Sequence, residues 1–391
     1  MQSDQRIRDL DAVRGVALCG ILLVNAGLFA FPALYLNPMD YWTDPVNRSV
    51  IFLTNFIGEG KFIAMFSFLF GLGFTIFLQG AVKKGLHPVR LFLRRLAVLL
   101  GIGIMHAYFI WFGDVLCLYS VLGVALLFFR NCRPQTLLIW AFCLLTVPVV
   151  IFVGGGMLTG PGIFADPSAA VTTALGKGAL HIYRTGSWLD IWRQNSTDVV
   201  STRIGYLLVS PVIFAMFLLG AYAGKKNIFR DIAGNMPLIR QVQLWGAVTG
   251  WPLALLSACC MNAAPDSLVY NYTQVMGSYL GGPAIALFYM ATVVRFLRHP
   301  AGRRILQPFE AAGRMAATNY LMQSVGCVLV YYSFGLGWYG RSPLTGWLVW
   351  ICVFSLQLLL SSWWMRRFRS GPVEWLWRRL TYGRLAPEYA K

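Results

Sequence analysis

The chain has 391 residues, of which 57% are hydrophobic and only 12% are charged, and its mean hydropathy is +0.61. This composition excludes an ordinary soluble domain and indicates a protein that crosses a membrane several times. The formal net charge of +18 does not indicate nucleic acid as a partner, because most Lys and Arg residues stand in short clusters between apolar segments, where they orient a membrane protein.

Ten apolar segments are long enough to span about 30 Å of hydrocarbon, and they predict an all-α bundle of ten transmembrane helices. They lie near residues 13–31, 62–81, 92–112, 115–130, 136–157, 204–223, 241–261, 272–294, 313–334 and 343–364. A shorter apolar stretch at 51–57 fits an interfacial or re-entrant piece. We expect one membrane domain over residues 1–365, with a long external loop at 158–203 and a basic cytoplasmic tail at 366–391.

The distribution of basic residues predicts the orientation of these helices. If the N-terminus is cytoplasmic, the cytoplasmic connections carry Lys and Arg, whereas the external connections are nearly free of them apart from loop 158–203. Long loops contribute little to this rule. The cytoplasmic side then collects, among others, Lys83, Lys84, Arg130, Arg133, Lys225, Lys226, Arg295 and Arg298. Both termini are therefore predicted to lie in the cytoplasm.

The first apolar segment, LDAVRGVALCGILLVN over residues 10–25, carries three polar residues on one helical face. Asp11 and Arg14 are three residues apart, and Asn25 lies about three turns beyond Arg14, roughly 16 Å along the axis. Polar groups are costly at membrane depth, so each of these residues is a candidate for function. The stripe is predicted to face something other than lipid.

A basic cluster is predicted at the cytoplasmic surface beside Asp11 and Arg14. Arg90 and Arg94 share one helical face, and Arg314 opens the ninth segment. Because Arg side chains match phosphate oxygens with two parallel hydrogen bonds, this cluster is a candidate site for a phosphorylated ligand. The alternative is that Asp11 and Arg14 pair with each other and that the other arginines only set the membrane orientation.

A second polar group is predicted near the external side. It contains Glu59 and Lys61 in IGEGKF, and His106 and Asp114 in MHAYFIWFGD. His106 suits a general acid or base, with Asp114 or Glu59 orienting its ring or stabilising its charged form. The alternative is a structural hydrogen-bonded network that closes the helical hairpin.

Two amides, Asn319 and Gln323 in GRMAATNYLMQS, share one face of the ninth segment. They fit interhelical hydrogen bonds and contacts with a ligand equally well. The eight cysteines and four histidines of the chain show no spacing typical of metal ligands, and no metal is expected.

Five motifs resemble the signature of the YeiB-like bacterial inner-membrane proteins, and they cover nearly the whole chain. These motifs are LDAVRGVALCGILLVN, GEGKFIAMFSFLFGLGF, MHAYFIWFGDVLCLYSVLG, GRMAATNYLMQS and GPVEWLWRRLT. The N-terminal helix of that family is similar to that of a wider set of membrane acyltransferases, which includes the lysosomal heparan-glucosaminide acetyltransferase. The resemblance implies a bacterial inner-membrane location and a cytosolic acyl-CoA donor such as acetyl-CoA.

By this resemblance Asp11, Arg14 and Asn25 match the Asp, Arg and Asn of the D-x-x-R-G-(x)-N pattern in the lysosomal enzyme, and Asn25 takes an active-site role. That enzyme carries its catalytic His shortly after the Asn, whereas this chain reads NAGLFAFPALYLNPMDYW there and has no His. We therefore expect His106 to supply the base and Asn25 to donate a hydrogen bond to the oxyanion.

The leading hypothesis is a transmembrane acyltransferase that uses acyl-CoA and an external or lipid-linked hydroxyl or amine. We expect the donor to contact Asp11, Arg14, Arg90, Arg94 and Arg314, and the acceptor to contact Glu59, Lys61, Asn319 and Gln323. The alternatives are a transporter or flippase for an anionic small molecule or lipid, and a non-catalytic receptor or assembly protein. Expected partners are membrane lipids and a glycan or lipid-linked acceptor, and a homodimer is left open.

Overall fold

The computed structural model describes residues 2–159, 169–261, 263 and 267–383, and every regular element in them is helical. The predicted all-α class is therefore confirmed. The helices are α1 (Gln2–Ala30), α2 (Pro38–Tyr41), α3 (Pro45–Ile57), α4 (Lys61–Lys83), α5 (Pro88–Phe109), α6 (Leu116–Phe128), α7 (Pro134–Thr159), α8 (Ala169–Thr185), α9 (Trp188–Lys225), α10 (Met236–Cys260), α11 (Leu268–Met276), α12 (Gly282–Phe296), α13 (Pro300–Arg314), α14 (Ala316–Tyr331), α15 (Pro343–Arg367) and α16 (Pro372–Tyr382). A π-helical segment, Gly277–Gly281, joins α11 to α12. Parts of the predicted loop (160–168) and tail (384–391) lie outside the described residues.

Seven stretches of the described chain are long and apolar enough to cross a membrane. They are Arg8–Ala30, Pro45–Lys83, Pro134–Gly155, Gly205–Lys225, Met236–Cys260, Leu268–Phe296 and Pro343–Arg367. Nine of the ten predicted segments overlap mainly with one α-helix each, and segment 272–294 covers the end of α11, the π-helical segment and α12. Helices α5, α6 and α14 are not among the seven stretches. Helix α6 has 13 residues, or about 20 Å at 1.5 Å per residue, which is shorter than the hydrocarbon layer. The structure is consistent with a membrane protein, and the count of ten spans stays a prediction.

The second membrane stretch, Pro45–Lys83, is broken into α3 and α4 by residues 58–60. Gly60 has a φ of 76°, in the left-handed region that favours glycine. A Cβ on Gly58 would lie 2.9 Å from a side-chain carbon of Val24, so the break packs against the second half of α1. The apolar piece that the sequence marked as interfacial or re-entrant forms the second half of α3.

Two pairs of helices cross at glycines that let their backbones touch. Where α4 crosses α9, a Cβ on Gly71 would lie 1.9 Å from Phe217 O, and a Cβ on Gly220 would lie 1.9 Å from Phe68 O. Where α1 crosses α13, a Cβ on Gly15 would lie 2.0 Å from a carbonyl oxygen of α13. Small residues at such contacts allow the close packing that holds helices together in lipid.

The predicted external loop contains α8 and the first part of α9, which pack on the ends of α1, α5 and α14. Tyr183 of α8 is fully buried, and its ring lies 4.5 Å from the ring of Tyr332 and 4.9 Å from that of Tyr339. Asn195 of α9 donates to Ala107 O at 2.8 Å. These contacts place a folded helical layer over the end of the short α5–α6 hairpin.

The glycine crossing of α4 and α9 generates a prediction with a built-in control. Replacing Gly71→Val forces a side chain into the backbone of α9, and overpacking of this kind costs about 1–3 kcal/mol. Gly73→Val introduces the same side chain into the same helix at a position where a Cβ meets nothing within 4 Å. We expect a lower thermal unfolding midpoint for Gly71→Val than for Gly73→Val in detergent. Equal midpoints for the two variants would contradict this account of the crossing.

Candidate functional site

Three polar side chains from distant parts of the chain form one hydrogen-bonded line inside the bundle. Nδ1 of His106 lies 2.8 Å from Asp114 Oδ2, and its Nε2 lies 2.8 Å from Ser324 Oγ on α14. Each of the three residues is only 1% exposed. We call this line the relay. The sequence left Asp114 and Glu59 open as partners of His106, and the structure gives His106 the carboxylate of Asp114.

The surroundings of Asp114 fix its orientation. This residue lies in the connection between α5 and α6, and its Oδ1 accepts from Cys117 N at 2.8 Å, at the beginning of α6. Carboxylates are favourable at helix N-termini, where N–H groups lack intrahelical partners. A Cβ on Gly103 would lie 3.0 Å from Asp114 Oδ1, so α5 has no room for a side chain there. One carboxylate oxygen therefore anchors Asp114, and the other holds His106.

Ser324 is the member of the relay that the sequence did not indicate. It is the last residue of the motif GRMAATNYLMQS, in which Asn319 and Gln323 were the predicted polar contacts. Serine is common in membrane helices, and the partner of Ser324 lies 218 residues earlier in the chain. The available signal was that Ser324 directly follows Gln323 and extends the polar surface of the motif.

Helix α14 carries buried polar groups from its first turns up to the relay. Asn319 donates to Ala312 O at 3.0 Å and to Ser361 Oγ of α15 at 2.9 Å. Gln323 donates to Gln357 Oε1 of α15 at 2.9 Å. We call Asn319, Gln323, Gln357 and Ser361 the polar column, and all four are buried. Of the two roles that the sequence left open for the two amides, the structure shows interhelical hydrogen bonds.

The Asn25 side chain of α1 has no hydrogen-bond partner among the described residues. It is half-buried and shares a face of α1 with Leu22 and Phe29, which pack in the same core cluster as α14. Two other polar groups of this cluster, Trp111 Nε1 and the Tyr331 hydroxyl, are buried and equally unpartnered. Hydrogen-bonding capacity therefore remains unused between α1 and α14.

Part of the predicted basic cluster lies beside α1, where Asp11 and Arg14 pair with each other as the alternative interpretation expected. Arg14 Nη1 lies 2.6 Å from Asp11 Oδ1, and 31% of the Arg14 side chain remains exposed. Arg314, at the end of α13, is exposed and donates to Arg369 O at 3.3 Å. Arg14 and Arg314 both lie close enough to attract the Asp11 carboxylate. The structure thus brings Asp11, Arg14 and Arg314 to one surface.

Arg90 and Arg94 are exposed on α5, and the next residue fastens that helix to the C-terminal helix. The guanidinium of Arg95 lies 3.9 Å from the ring centroid of Trp377 in α16, a cation–π contact. The indole Nε1 of Trp377 donates to Arg95 O at 2.9 Å. Helix α16 therefore packs along α5, while Arg90 and Arg94 stay at the surface.

Glu374 of α16 caps the beginning of α14. Its Oε1 accepts from Ala317 N at 2.6 Å and from Thr318 N at 3.0 Å, and its Oε2 accepts from Thr318 Oγ1 at 2.6 Å. The carboxylate satisfies N–H groups that have no partner inside the helix and complements the helix dipole. This helix N-terminus is therefore occupied by the chain itself.

The predicted external group is divided in two by α1, which corrects the interpretation of Glu59, Lys61, His106 and Asp114 as one site. Gly27 lines a cavity together with Glu59, whereas Phe29 packs in the core cluster beside the relay. Residues two apart on a helix point about 160° away from each other. Glu59 therefore lies on the opposite side of α1 from His106.

The cavity has a volume of about 340 Å³ and lies between the second half of α1, α3 and the beginning of α15. We call it the α1 cavity. Its walls are mostly apolar and aromatic, and its charged lining residues are Glu59 and Arg341. Lys61 lines an adjoining polar pocket, where its Nζ donates to Asn55 O at 2.6 Å. Lys61 thereby caps the last turn of α3.

A third buried polar cluster, which the sequence did not indicate, is centred on Asp198 of α9. Its carboxylate accepts from the hydroxyls of Tyr35 and Tyr183 at 2.6 Å each and from Gln194 Nε2 at 2.8 Å. Burial raises the pKa of Asp198, because desolvation outweighs these hydrogen bonds, which lower it. The cluster fastens α8 and α9 to the segment that follows α1.

Comparison with known proteins gives full-length relatives. A family profile described as "Protein of unknown function (DUF418)" matches residues 223–384. The chain is 36% identical to "Uncharacterized protein YxaH" of Bacillus subtilis, over 97% of this chain and 95% of that protein. It is 29% identical to "Uncharacterized protein YeiB" of Escherichia coli, over 98% of each chain. The similarity therefore extends over all the helices described above.

The Asp198 cluster predicts how stability depends on pH. Because the pKa is raised in the folded state, the folded carboxyl keeps its proton to higher pH than the unfolded one. Its contribution to stability is fully present below the ordinary value of 3.8 and is lost as pH rises through the folded pKa. We expect Asp198→Asn to remove this loss, measured as the thermal midpoint in detergent from about pH 4 to 7.

Asp190 provides the matched control for this measurement. It is exposed, and hydrogen bonds from Ser187 lower its pKa, so its stabilising effect is lost as pH falls. Asp190→Asn should therefore leave the decline at rising pH in place. An Asp198→Asn protein that still loses stability like the wild type would contradict the role given to Asp198.

Proposed function

The chain belongs to the family of YeiB-like proteins described as DUF418, and from that premise we propose that it is a transmembrane acyltransferase. It moves an acyl group, such as acetyl, from cytosolic acyl-CoA to a hydroxyl or amine of an external or lipid-linked acceptor. The observation that carries the proposal is the relay, in which a histidine is held by a carboxylate and bonded to a serine hydroxyl. This arrangement activates a hydroxyl for acyl transfer on unrelated folds.

The relay suits a two-step transfer. The Ser324 hydroxyl attacks the thioester carbonyl while Nε2 of His106 takes its proton, and Asp114 stabilises the resulting imidazolium. The carbon–sulfur bond breaks, and the departing thiolate takes the proton to form free CoA. The acceptor then attacks the acyl-serine, gives its proton to His106, and Ser324 recovers the proton. The balance is acyl-CoA plus acceptor giving acylated acceptor plus CoA.

The remaining predicted residues fit a donor that enters from the cytoplasmic side. Arg14 and Arg314 hold the phosphates of acyl-CoA, because guanidinium groups bind phosphate oxygens through paired hydrogen bonds. Asn25, whose amide has no partner among the described residues, donates to the oxyanion that forms at the thioester carbonyl.

The proposal includes a topology of ten spans with both termini in the cytoplasm of a bacterium and the chain in its inner membrane. Support comes from the basic residues that gather at alternate connections. Helix α16 adds to this support, because Arg378 and Arg379 lie beside exposed Trp375 and Leu376. This combination of basic and aromatic residues is typical of a helix that lies at a membrane surface.

A second candidate function, transport of an anionic small molecule or lipid, rests on two interruptions of helical structure. The break at residues 58–60 meets the beginning of α12, directly after the π-helical segment, since a Cβ on Gly282 would lie 3.3 Å from Gly60 O. Glu59, Lys61 and Gln274 line the polar pocket between them. Broken helices that line a cavity are typical of substrate and ion sites in transporters.

The acyltransferase proposal predicts release of free CoA. We expect detergent-purified protein to bind acetyl-CoA saturably by calorimetry and to release thiol in the same samples. Arg14→Ala should lose the binding, whereas Ser324→Ala and His106→Gln should keep it and lower thiol release about 100-fold or more, the range for general acid–base groups. Asn25→Ala should slow release without abolishing binding.

Ser120→Ala is the matched control for Ser324→Ala. Ser120 is also a buried serine, but its hydroxyl donates to Leu116 O within its own helix, so thiol release should stay at the wild-type rate. A wild-type protein that binds neither acetyl-CoA nor CoA would overturn the acyl-CoA mechanism. Uptake of anions into proteoliposomes would then be the measurement for the transport alternative.

The topology predicts which cysteines a membrane-impermeant thiol reagent can label. In a Cys-free background, single cysteines replacing Lys84 and Arg369 should be labelled only after the inner membrane is opened. A cysteine replacing Lys177 in α8 should be labelled in intact cells after removal of the outer membrane. The reverse pattern would overturn the orientation. If all three variants were labelled in intact cells, the reagent would have crossed the inner membrane.

A further inference from the structure

The α1 cavity lies across α1 from the relay, and its charged groups have no use in the acyl transfer described above. We infer that it is a binding site for an amphiphilic zwitterion, with an ammonium group at Glu59, an acidic group at Arg341 and an apolar chain between them. The inference concerns binding alone and therefore stands or falls independently of acyl-CoA chemistry.

Glu59 is the negatively charged anchor of the site, and its side chain is exposed to the cavity. Its side chain faces the cavity and makes no hydrogen bond or ion pair with a described residue. Lys61 is near enough for its charge to act on the carboxylate, but its ammonium donates to Asn55 O. The Lys61 ammonium is therefore committed to a backbone carbonyl, and the Glu59 carboxylate keeps its hydrogen-bonding capacity for a group in the cavity. An ammonium group on a ligand suits that carboxylate, because a charge-assisted hydrogen bond joins the two.

Arg341 lines the same cavity at a different position along the α1 axis. The neighbouring Gly340 donates its N–H to Ala30 O at 2.7 Å, which places Arg341 at the end of α1. Glu59 directly follows Gly58, which packs on Val24. Six residues of helix separate Val24 from Ala30, or about 9 Å along the axis. The Arg341 side chain forms no ion pair within the described chain, so the cavity holds two opposite charges that do not neutralise each other.

The wall between the two charges is built for an apolar chain. Leu23 and Gly27 of α1, Phe31 directly after α1 and Trp347 of α15 all line the cavity. The volume of about 340 Å³ falls in the range of small-molecule sites. A Cβ on Gly27 would meet nothing within 4 Å, so the cavity is open at that residue. A straight chain of about eight carbons is roughly as long as the axial separation of about 9 Å between Val24 and Ala30.

Binding can be measured by calorimetry on the full chain in lipid nanodiscs, with empty nanodiscs subtracted. The probes are ω-aminooctanoate, octylamine and octanoate, which share one chain length. We expect saturable binding in the order ω-aminooctanoate, octylamine, octanoate. Glu59→Gln should weaken the binding of ω-aminooctanoate and octylamine about tenfold or more. Arg341→Gln should lower the affinity for ω-aminooctanoate to that for octylamine.

A pair of glycine variants tests whether the probes occupy this cavity. Gly27→Phe fills the open space and should abolish binding, while Gly101→Phe, at an exposed position of α5 with nothing within 4 Å of its Cβ, should bind like the wild type. Binding of octanoate as tight as octylamine, undiminished binding by Gly27→Phe, or no saturable binding of any probe would overturn the inference. Ser324→Ala should bind all probes with wild-type affinity, so a failure of the relay proposal is distinguishable from a failure of this binding site.

Discussion

A polar side chain inside a membrane has to find its partner within the protein, because hydrocarbon offers none. Helix α14 is where this chain meets that requirement most densely. Its side chains bond to α5 through Ser324, to α15 through Asn319 and Gln323, and to α16 through Thr318. Helix α14 is thus held from several sides by directional bonds, whereas α4 and α9 are held by close backbone contact at glycines.

These two kinds of contact have different consequences for function. Close glycine crossings hold helices at a fixed separation and leave no polar groups to use. The bonds of α14 instead follow one another from its first turn to Ser324, and they end at a histidine that is suited to proton transfer. The α1 cavity lies on the other side of α1, so one helix separates two regions with different chemistry. One side holds hydrogen-bonded polar side chains, and the other is a mostly apolar cavity lined by Glu59 and Arg341.

The sequence was sufficient where a property depends on neighbours along the chain. Apolar length predicted the all-α fold, and the three-residue spacing of Asp11 and Arg14 allowed the pair that the structure contains. It was insufficient where helix rotation decides the outcome. Glu59 and His106 seemed to belong together because both fall near the same predicted surface, yet α1 lies between them. Ser324 and Asp198 gained their importance from partners on other helices, and no local pattern distinguishes such residues from ordinary polar ones.

Because Glu374 caps α14, the completion of α14 depends on a segment that is synthesised later. Helix α14 is made well before α16, and until residue 374 has left the ribosome the N–H groups at its beginning have no carboxylate to bind. The helix that carries the relay therefore reaches its final state only when the last described helix docks beside Arg95. A nascent chain shortened before α16 would still contain every apolar stretch needed for insertion, but the first turn of α14 would be left incomplete.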